Sequence, residues 1–179
     1  MHKEHTLVTS IGMLDKSILG FVLGTLNIIT GYNGSGKSTL INQMCIAEPL
    51  SQGYKVFCFS GELPPHIFKY WLYQTLANNN DFEYNICSDI ASRSYKDNYY
   101  IIKSSSDSNI TSCINNNLYL YDDADYSGQA ILAKMELLAK RKGVKCFVID
   151  NLMKIELDTR QHEFTAHKVW INKVNYPHL

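Results

Sequence analysis

The chain has 179 residues, of which 45% are hydrophobic and 19% charged, and this balance excludes a disordered or fibrous protein. Lysine and arginine together number 17, as do aspartate and glutamate, so the net charge gives no support for binding to nucleic acid or to a membrane surface. No apolar run approaches the roughly 20 residues that a membrane helix needs. The five cysteines are far apart and include no CxxC pair. These features predict one cytoplasmic domain over residues 1–179, with reduced cysteines and no membrane segment.

The first half of the chain predicts two strands, each followed by a helix. Residues 26–30 are a short apolar, β-branched run, and residues 37–48 show apolar side chains at helical spacing until Pro49. Residues 54–60, YKVFCFS, form the continuous apolar run of a strand that is buried on both faces. A GELPP turn and a helix over 67–77 follow.

The second half begins with a change of composition. Residues 78–117 are rich in Asn, Ser and Asp, which predicts an irregular surface excursion with one short helix around 86–92. The remaining predicted elements are a strand at 118–121, an amphipathic helix at 129–142 that Gly143 ends, a strand at 144–150 and a helical tail at 158–179. Apolar strands that alternate with helices form βαβ units, so the sequence predicts an α/β fold with a mainly parallel sheet flanked by helices.

A glycine-rich motif, GYNGSGKST, lies between the first predicted strand and the helix after it. It satisfies G-x-x-x-x-G-K-[ST], in which glycines let backbone N–H groups face phosphate oxygens at a helix N-terminus. Lys37 is predicted to contact the β- and γ-phosphates during catalysis, and Ser38 to bind Mg²⁺. The ligand is ATP or another nucleoside triphosphate. Its predicted binding residues are Gly31, Asn33, Gly34, Ser35, Gly36, Lys37, Ser38 and Thr39.

Two acidic residues stand at the ends of predicted strands. Asp150 closes the apolar strand VKCFVID and fits the Walker-B role, in which a carboxylate holds the Mg²⁺ ion and its water shell. Glu62 directly follows the strand YKVFCFS. From these residues alone, Glu62 is either an exposed turn residue or the base that activates a water molecule.

Three segments together resemble the ATPase domain of DnaB-type replicative helicases, a group close to the phage primase-helicases and the mitochondrial Twinkle helicases. They are IGMLDKSILGFVLGTLNIITGYNGSGKSTL, VFCFSGELPP and CFVIDNLMKI. The resemblance covers about residues 10–170. It implies a RecA-like P-loop NTPase fold, homo-oligomeric rings, and nucleotide hydrolysis at subunit interfaces that drives movement along single-stranded DNA. It also implies that Glu62 is the general base that orients the attacking water.

The chain departs from this family near its C-terminus. In such ATPases a further strand follows the Walker-B strand and lies between it and the P-loop strand, and the DNA-binding loops and an arginine finger come later. Residues 151–179 contain no second apolar run. We therefore expect an incomplete sheet. We also expect that the chain keeps nucleotide binding even where hydrolysis is weakened, and that helicase activity is lost first. A truncated, prophage-like copy of such a helicase is the simplest account.

Two alternatives stay open: a non-catalytic nucleotide-binding or assembly module, and a recombinase-type or clock-type RecA relative. Two further patterns favour structural interpretations. His162 and His167 in HEFTAH are five residues apart, whereas a helical zinc motif needs a separation of four. Asp122, Asp123 and Asp125 predict a solvated turn with a helix cap rather than a second metal site.

Overall fold

A computed structural model describes residues 6–86, 98–157 and 162–174. Its strands are β1 (Thr6–Leu7), β2 (Phe21–Val22), β3 (Val56–Ser60), β4 (Phe82–Ile86), β5 (Asn98–Ile102), β6 (Leu118–Leu120) and β7 (Cys146–Asp150). Its α-helices are α1 (Gly12–Ile18), α2 (Lys37–Ile41), α3 (Glu48–Ser51), α4 (Pro65–Leu76), α5 (Ser104–Asn117), α6 (Gly128–Lys142) and α7 (Glu163–Val174). A π-helical segment, Asn42–Ala47, joins α2 to α3. In the described part of the chain, no helix is long and apolar enough to cross a membrane.

A parallel sheet with the strand order β6-β3-β7 forms the centre of the fold. Strand β3 pairs with β6 on one side and with β7 on the other, and this register places Ser60 opposite Asp150. The side chains of residues 56–59 are almost completely buried. Their continuous apolar run is explained by this central position, because a strand that is covered on both faces has no solvent-facing positions. The predicted parallel α/β architecture is confirmed.

Alternate residues of β3 contribute to two hydrophobic clusters on opposite faces of the sheet. Val56 and Cys58 pack in a cluster with residues of the α2–α3 helical stretch, α4 and α5, including Ile46, Leu50, Leu72, Ile110 and Ile114. Phe57 and Phe59 pack in a second cluster with residues of α6 and α7, including Ile131, Met135, Leu138 and Trp170. The sheet is therefore flanked by helices on both faces, and the carboxyl ends of its strands stay accessible.

The predicted strand at 26–30 is wrong. These residues have no regular secondary structure, and the side chains of Leu26 and Ile28 are 41% and 72% exposed. Among the described residues, β7 has only β3 as a strand neighbour. A strand needs a neighbour for its N–H and C=O groups. Residues 26–30 pair with no strand of the described sheet, so this apolar run before the glycine-rich loop is an exposed, irregular segment.

The prediction of an irregular excursion at 78–117 is also largely wrong. Strands β4 and β5 form an antiparallel pair, and α5 is a regular helix. Asn and Ser are weak helix formers, but Ile110 and Ile114 lie on one face of α5 and are only 8% and 5% exposed. Burial of this face stabilises a helix that its composition disfavours. The short helix predicted around 86–92 lies outside the described residues, apart from Ile86, which ends β4.

The helix predicted at 37–48 continues through Pro49 to Ser51. Proline normally breaks a helix, because it lacks an N–H group and its ring clashes with the carbonyl four residues earlier. Here π-helical turns immediately precede α3. A π-turn bonds residues five apart, so its wider spacing relieves the clash with that carbonyl. Of the predicted helical tail at 158–179, Glu163–Val174 forms α7, and residues 158–161 and 175–179 lie outside the described residues. The remaining predicted helices and strands agree with the structure, apart from shifts of one or two residues at their ends.

Gly128 lies where α6 begins and contacts Trp170 of α7. The indole Nε1 donates a hydrogen bond to Gly128 O at 2.9 Å, and Trp170 is 6% exposed. A Cβ atom at position 128 would lie 2.5 Å from Trp170 Nε1 and 2.7 Å from Leu157 Cδ2. We therefore expect Gly128→Ala to lower the free energy of unfolding by about 1–3 kcal/mol, the usual cost of overpacking, in urea denaturation followed by circular dichroism.

Gly12→Ala is the matched control for this substitution. A Cβ atom at position 12 meets nothing within 4 Å, so the control variant should be at least as stable as the original chain. Equal stabilities for the two variants would show that Gly128 does not hold Trp170 in place.

Candidate functional site

The glycine-rich loop, residues 31–36, leads directly into α2. Gly34 and Gly36 have φ angles of 76° and 81°, in the left-handed region that glycine adopts without strain. Gly36 is the N-cap residue of α2, and Ser35 N donates to Tyr32 O at 3.2 Å. The loop is exposed to solvent. Its turn and the free N–H groups of the helix N-terminus suit the close approach of an anion to the backbone.

Lys37 extends back over the glycine-rich loop from the first turn of α2. Its Nζ atom donates hydrogen bonds to Gly31 O at 2.9 Å and to Tyr32 O at 2.7 Å. A Cβ atom at position 31 would lie 3.1 Å from Ser35 Oγ and 3.6 Å from Lys37 Cδ. Glycine at this position therefore leaves room for the Ser35 side chain. The two hydrogen bonds hold the positive charge of Lys37 against the loop that would bind phosphate.

Asp150 is the last residue of β7 and lies close to the start of α2. The Ser38 hydroxyl lies near its carboxylate and lowers the pKa of that group. Partial burial raises the pKa of Asp150, and the nearby Glu62 carboxylate raises it further. The Ser38 hydroxyl and the Lys37 charge lower this pKa. Lys37, Ser38 and Glu62 therefore lie near enough to Asp150 to affect the pKa of its carboxyl group.

Glu62 follows β3 by two residues and is exposed. Because β3 and β7 are parallel neighbours, their carboxyl ends lie side by side, and Gly61 N donates a hydrogen bond to Asp150 O at 2.7 Å. The Glu62 Oε1 atom accepts a hydrogen bond from Asn151 Nδ2. The residue predicted to be the base is therefore beside the residue predicted to hold the metal ion, at one edge of the sheet.

The site has donor atoms that fit the predicted ligands. The Ser38 hydroxyl and the nearby Asp150 carboxylate are the kind of oxygen ligands that Mg²⁺ prefers, and Lys37 with the loop amides provides donors for phosphate. The other predicted binding residues lie on the same loop or on the first turn of α2. Among them, Asn33, Gly34, Ser35 and Thr39 are exposed.

A cavity of about 410 Å³ is lined by residues at the carboxyl ends of β3 and β6, among them Glu62. Its lining includes Glu62, Phe68, Tyr121, Asp122, Asp123 and Tyr126. Asp122 and Asp123 lie 3.8 Å and 3.1 Å from the Lys134 ammonium, and Asp125 Oδ1 accepts from Ser127 N at 2.8 Å just before α6. The three aspartates thus lie in a turn before α6, as predicted, but the helix cap is Ser127, whose hydroxyl accepts a hydrogen bond from Ala130 N at 3.3 Å.

The sequence interpretation missed Asn151. This residue directly follows Asp150, across a cis peptide bond, and contacts Glu62 from the neighbouring strand. An asparagine after an acidic strand end has many roles, so its type alone gives no signal. The useful signal is topological, because residues just beyond the carboxyl ends of adjacent parallel strands meet at the same place.

Parallel strands flanked by helices, with a glycine-rich loop entering a helix, place the chain in the RecA-like α/β class. The family model for the DnaB-like helicase C terminal domain matches residues 6–170, and the chain belongs to this family. The resemblance expected from the three sequence segments is thereby confirmed, and the chain is a helicase-family ATPase domain. No curated protein matches the sequence significantly.

Proposed function

We propose that the chain binds ATP or another nucleoside triphosphate with Mg²⁺ at the glycine-rich loop and hydrolyses it, as the ATPase core of a replicative-helicase-like protein. One observation carries the proposal. Lys37 and Ser38, Glu62, and Asp150 come from three separate segments, and the first three all lie near enough to Asp150 to affect its pKa. Two carboxylates beside each other destabilise a fold unless cations or donors offset their repulsion. A nucleotide site explains why the fold keeps them together.

Nucleotide binding would rest on the loop amides, the N-terminus of α2 and Lys37. The Lys37 ammonium now donates to two neutral carbonyl oxygens. Phosphate oxygens carry charge, so they form stronger hydrogen bonds with an ammonium group than carbonyl oxygens do. Lys37 would therefore exchange the carbonyls of Gly31 and Tyr32 for the β- and γ-phosphates.

Ser38 and Asp150 would hold Mg²⁺, which supplies positive charge to the β- and γ-phosphate oxygens when it is bound. The Ser38 hydroxyl lies near the Asp150 carboxylate, so both oxygens would be presented from the same side of the site. Partial burial of Asp150 strengthens its interaction with a cation, because water screens the charge less there.

Glu62 would orient the attacking water and accept its proton. The carboxylate is exposed at the end of β3, so water has access to it, while Asn151 holds one of its oxygens. Phosphoryl transfer depends mainly on positioning and on stabilisation of negative charge. Glu62 supplies the positioning of water, and Lys37 with the loop amides supplies the stabilisation.

We also propose that this chain retains nucleotide binding most fully, hydrolysis less fully, and DNA strand separation least. Residues 26–30, which carry the loop, are not paired to the sheet in the described part of the chain. The loop is therefore not anchored by the sheet beside Asp150. Ring-type homo-oligomers and single-stranded DNA are the partners that the family suggests, and both are part of this proposal.

A second candidate function is a non-catalytic nucleotide-binding module that assembles with another chain. The exposed side chains of Leu26 and Ile28, and the lack of a strand partner on one edge of β7 within the described residues, favour it. Unpaired strand edges and exposed apolar residues are features of surfaces that pair with other chains.

One experiment separates the two candidates. A fluorescent ATP analogue is titrated with Mg²⁺, and phosphate release is then measured over a range of protein concentrations with and without single-stranded DNA. Saturable binding with phosphate release supports the ATPase. Saturable binding without release at every concentration supports the non-catalytic module, and no binding of the analogue contradicts both.

A further inference from the structure

We propose that Asn151 positions the Glu62 carboxylate for hydrolysis, an inference that rests on the proposed function. The Asn151 side-chain amide donates a hydrogen bond from Nδ2 to Glu62 Oε1. Asn151 lies just beyond β7, and Glu62 lies just beyond β3. The contact therefore joins the residue after the metal-binding candidate to the candidate base on the neighbouring strand.

Glu62 needs such a partner because its side chain is exposed. A glutamate side chain has several rotatable bonds, and in solvent it samples many conformations that point away from the reacting atoms. A neutral amide fixes one carboxylate oxygen and leaves the other oxygen available for water. It does so without adding a positive charge beside the acid. The orientation of the amide is settled by chemistry, because turning it round would place its oxygen against the carboxylate oxygen.

The backbone on both sides of this contact is also held in place. Gly61 N donates to Asp150 O at 2.7 Å, which ties the ends of the two strands together. Lys154 N donates to Asn151 O at 3.3 Å and closes the turn that follows. A Cβ atom at position 61 would lie 2.4 Å from Lys154 Cβ, so the turn packs closely against Gly61. The amide is thus presented to Glu62 from a well-supported turn.

The other end of the amide argues against a purely structural role. Asn151 Oδ1 is buried and has no hydrogen-bond partner among the described residues. A buried acceptor without a donor costs free energy, so a residue kept only for stability would not leave this oxygen unsatisfied. The arrangement is explained if the donor end of the amide is needed at Glu62.

A double-mutant cycle tests the proposal. Asn151→Asp has nearly the same shape but cannot donate and repels Glu62; Asn151→Leu removes both polar atoms. We expect each substitution to lower kcat for phosphate release about 10- to 100-fold, the range expected for a misplaced catalytic group, with KM and the affinity for a fluorescent ATP analogue nearly unchanged. In the Glu62→Gln background, each should change kcat less than about twofold, because Asn151 acts through Glu62.

The proposal is overturned if Asn151→Asp keeps the original kcat, or if kcat falls equally in both backgrounds. Thermal unfolding verifies that each variant is folded, and Asn151→Asp carries the test if Asn151→Leu does not fold. An original chain that releases no more phosphate than Glu62→Gln would contradict the proposed hydrolysis itself. In that case NMR tests the contact itself. The Asn151 side-chain amide resonances are identified by their loss in Asn151→Asp and are then compared between the original chain and Glu62→Ala. A shift on Glu62→Ala supports the contact, and unchanged resonances reject it.

Discussion

Glu62→Gln should slow phosphate release by about 10²- to 10⁴-fold, the contribution of a general base. Glutamine has the same shape, and its amide oxygen can still accept the hydrogen bond from Asn151 Nδ2. It cannot take a proton from water at neutral pH. The affinity for a fluorescent ATP analogue should therefore stay close to that of the original chain, while single-turnover phosphate release falls.

Glu136→Gln is the matched control for Glu62→Gln. Glu136 lies on the surface of α6 and pairs with Lys140 at 3.3 Å, within the same helix. The same chemical change there should leave phosphate release unaltered. If Glu62→Gln hydrolyses ATP as fast as this control, Glu62 is an exposed turn residue, as the sequence alone also allowed.

Lys37→Ala should weaken nucleotide binding by roughly 10- to 100-fold, from about 1.5–3 kcal/mol for hydrogen bonds to a charged group. The lysine ammonium is held beside the loop by Gly31 O and Tyr32 O, so its charge is already close to the predicted phosphate position. Removing it leaves the loop amides without a cation. The loss should be measured by titration of a fluorescent ATP analogue in the presence of Mg²⁺.

Lys140→Ala provides the control for a lost positive charge. Lys140 is exposed on α6 and contacts Glu136, so its removal should leave the nucleotide affinity unchanged. A Lys37→Ala variant that binds the analogue as tightly as Lys140→Ala would remove the basis for a phosphate site at the glycine-rich loop. Fluorescence should be followed at two salt concentrations, because salt screens exposed charges more strongly than half-buried ones.

The parts of the fold that the sequence predicts well are those determined by local pattern and burial. The apolar run of β3 indicates a central strand, because only a strand covered on both faces has no polar positions. The amphipathic spacing of α6 gives its bounds to within one residue, and Gly143 ends it with a φ of 69°. Both signals are contained in a single element and its immediate neighbours in sequence.

The failures occur where distant parts of the chain decide the outcome. Residues 26–30 have the composition of a strand, but they pair with no strand within the described residues. Helix α5 shows the opposite case, since its Asn- and Ser-rich composition disfavours a helix that packing of Ile110 and Ile114 stabilises. Strand pairing and tertiary burial are not visible in the local sequence.

The candidate site divides in the same way. The motif at 31–39 is a local signal, and it predicted the loop and the start of α2 correctly. The meeting of Glu62 with Asn151 depends on the register between β3 and β7, which is set by a parallel pairing between residues far apart in sequence. Asn151 could therefore be singled out only after the strand order was known.

The burial of Trp170 makes its fluorescence a reporter of the packing of α7 against the start of α6. The sequence contains two tryptophans, and the other one, Trp71, is 47% exposed on α4. An indole in an apolar environment emits at shorter wavelength than one in water, so the short-wavelength part of the emission comes from Trp170. A red shift on heating or in urea will therefore mark the separation of α7 from the start of α6, distinct from the loss of helix seen in circular dichroism. Local release of the C-terminal helix and global unfolding can be timed separately without an added dye.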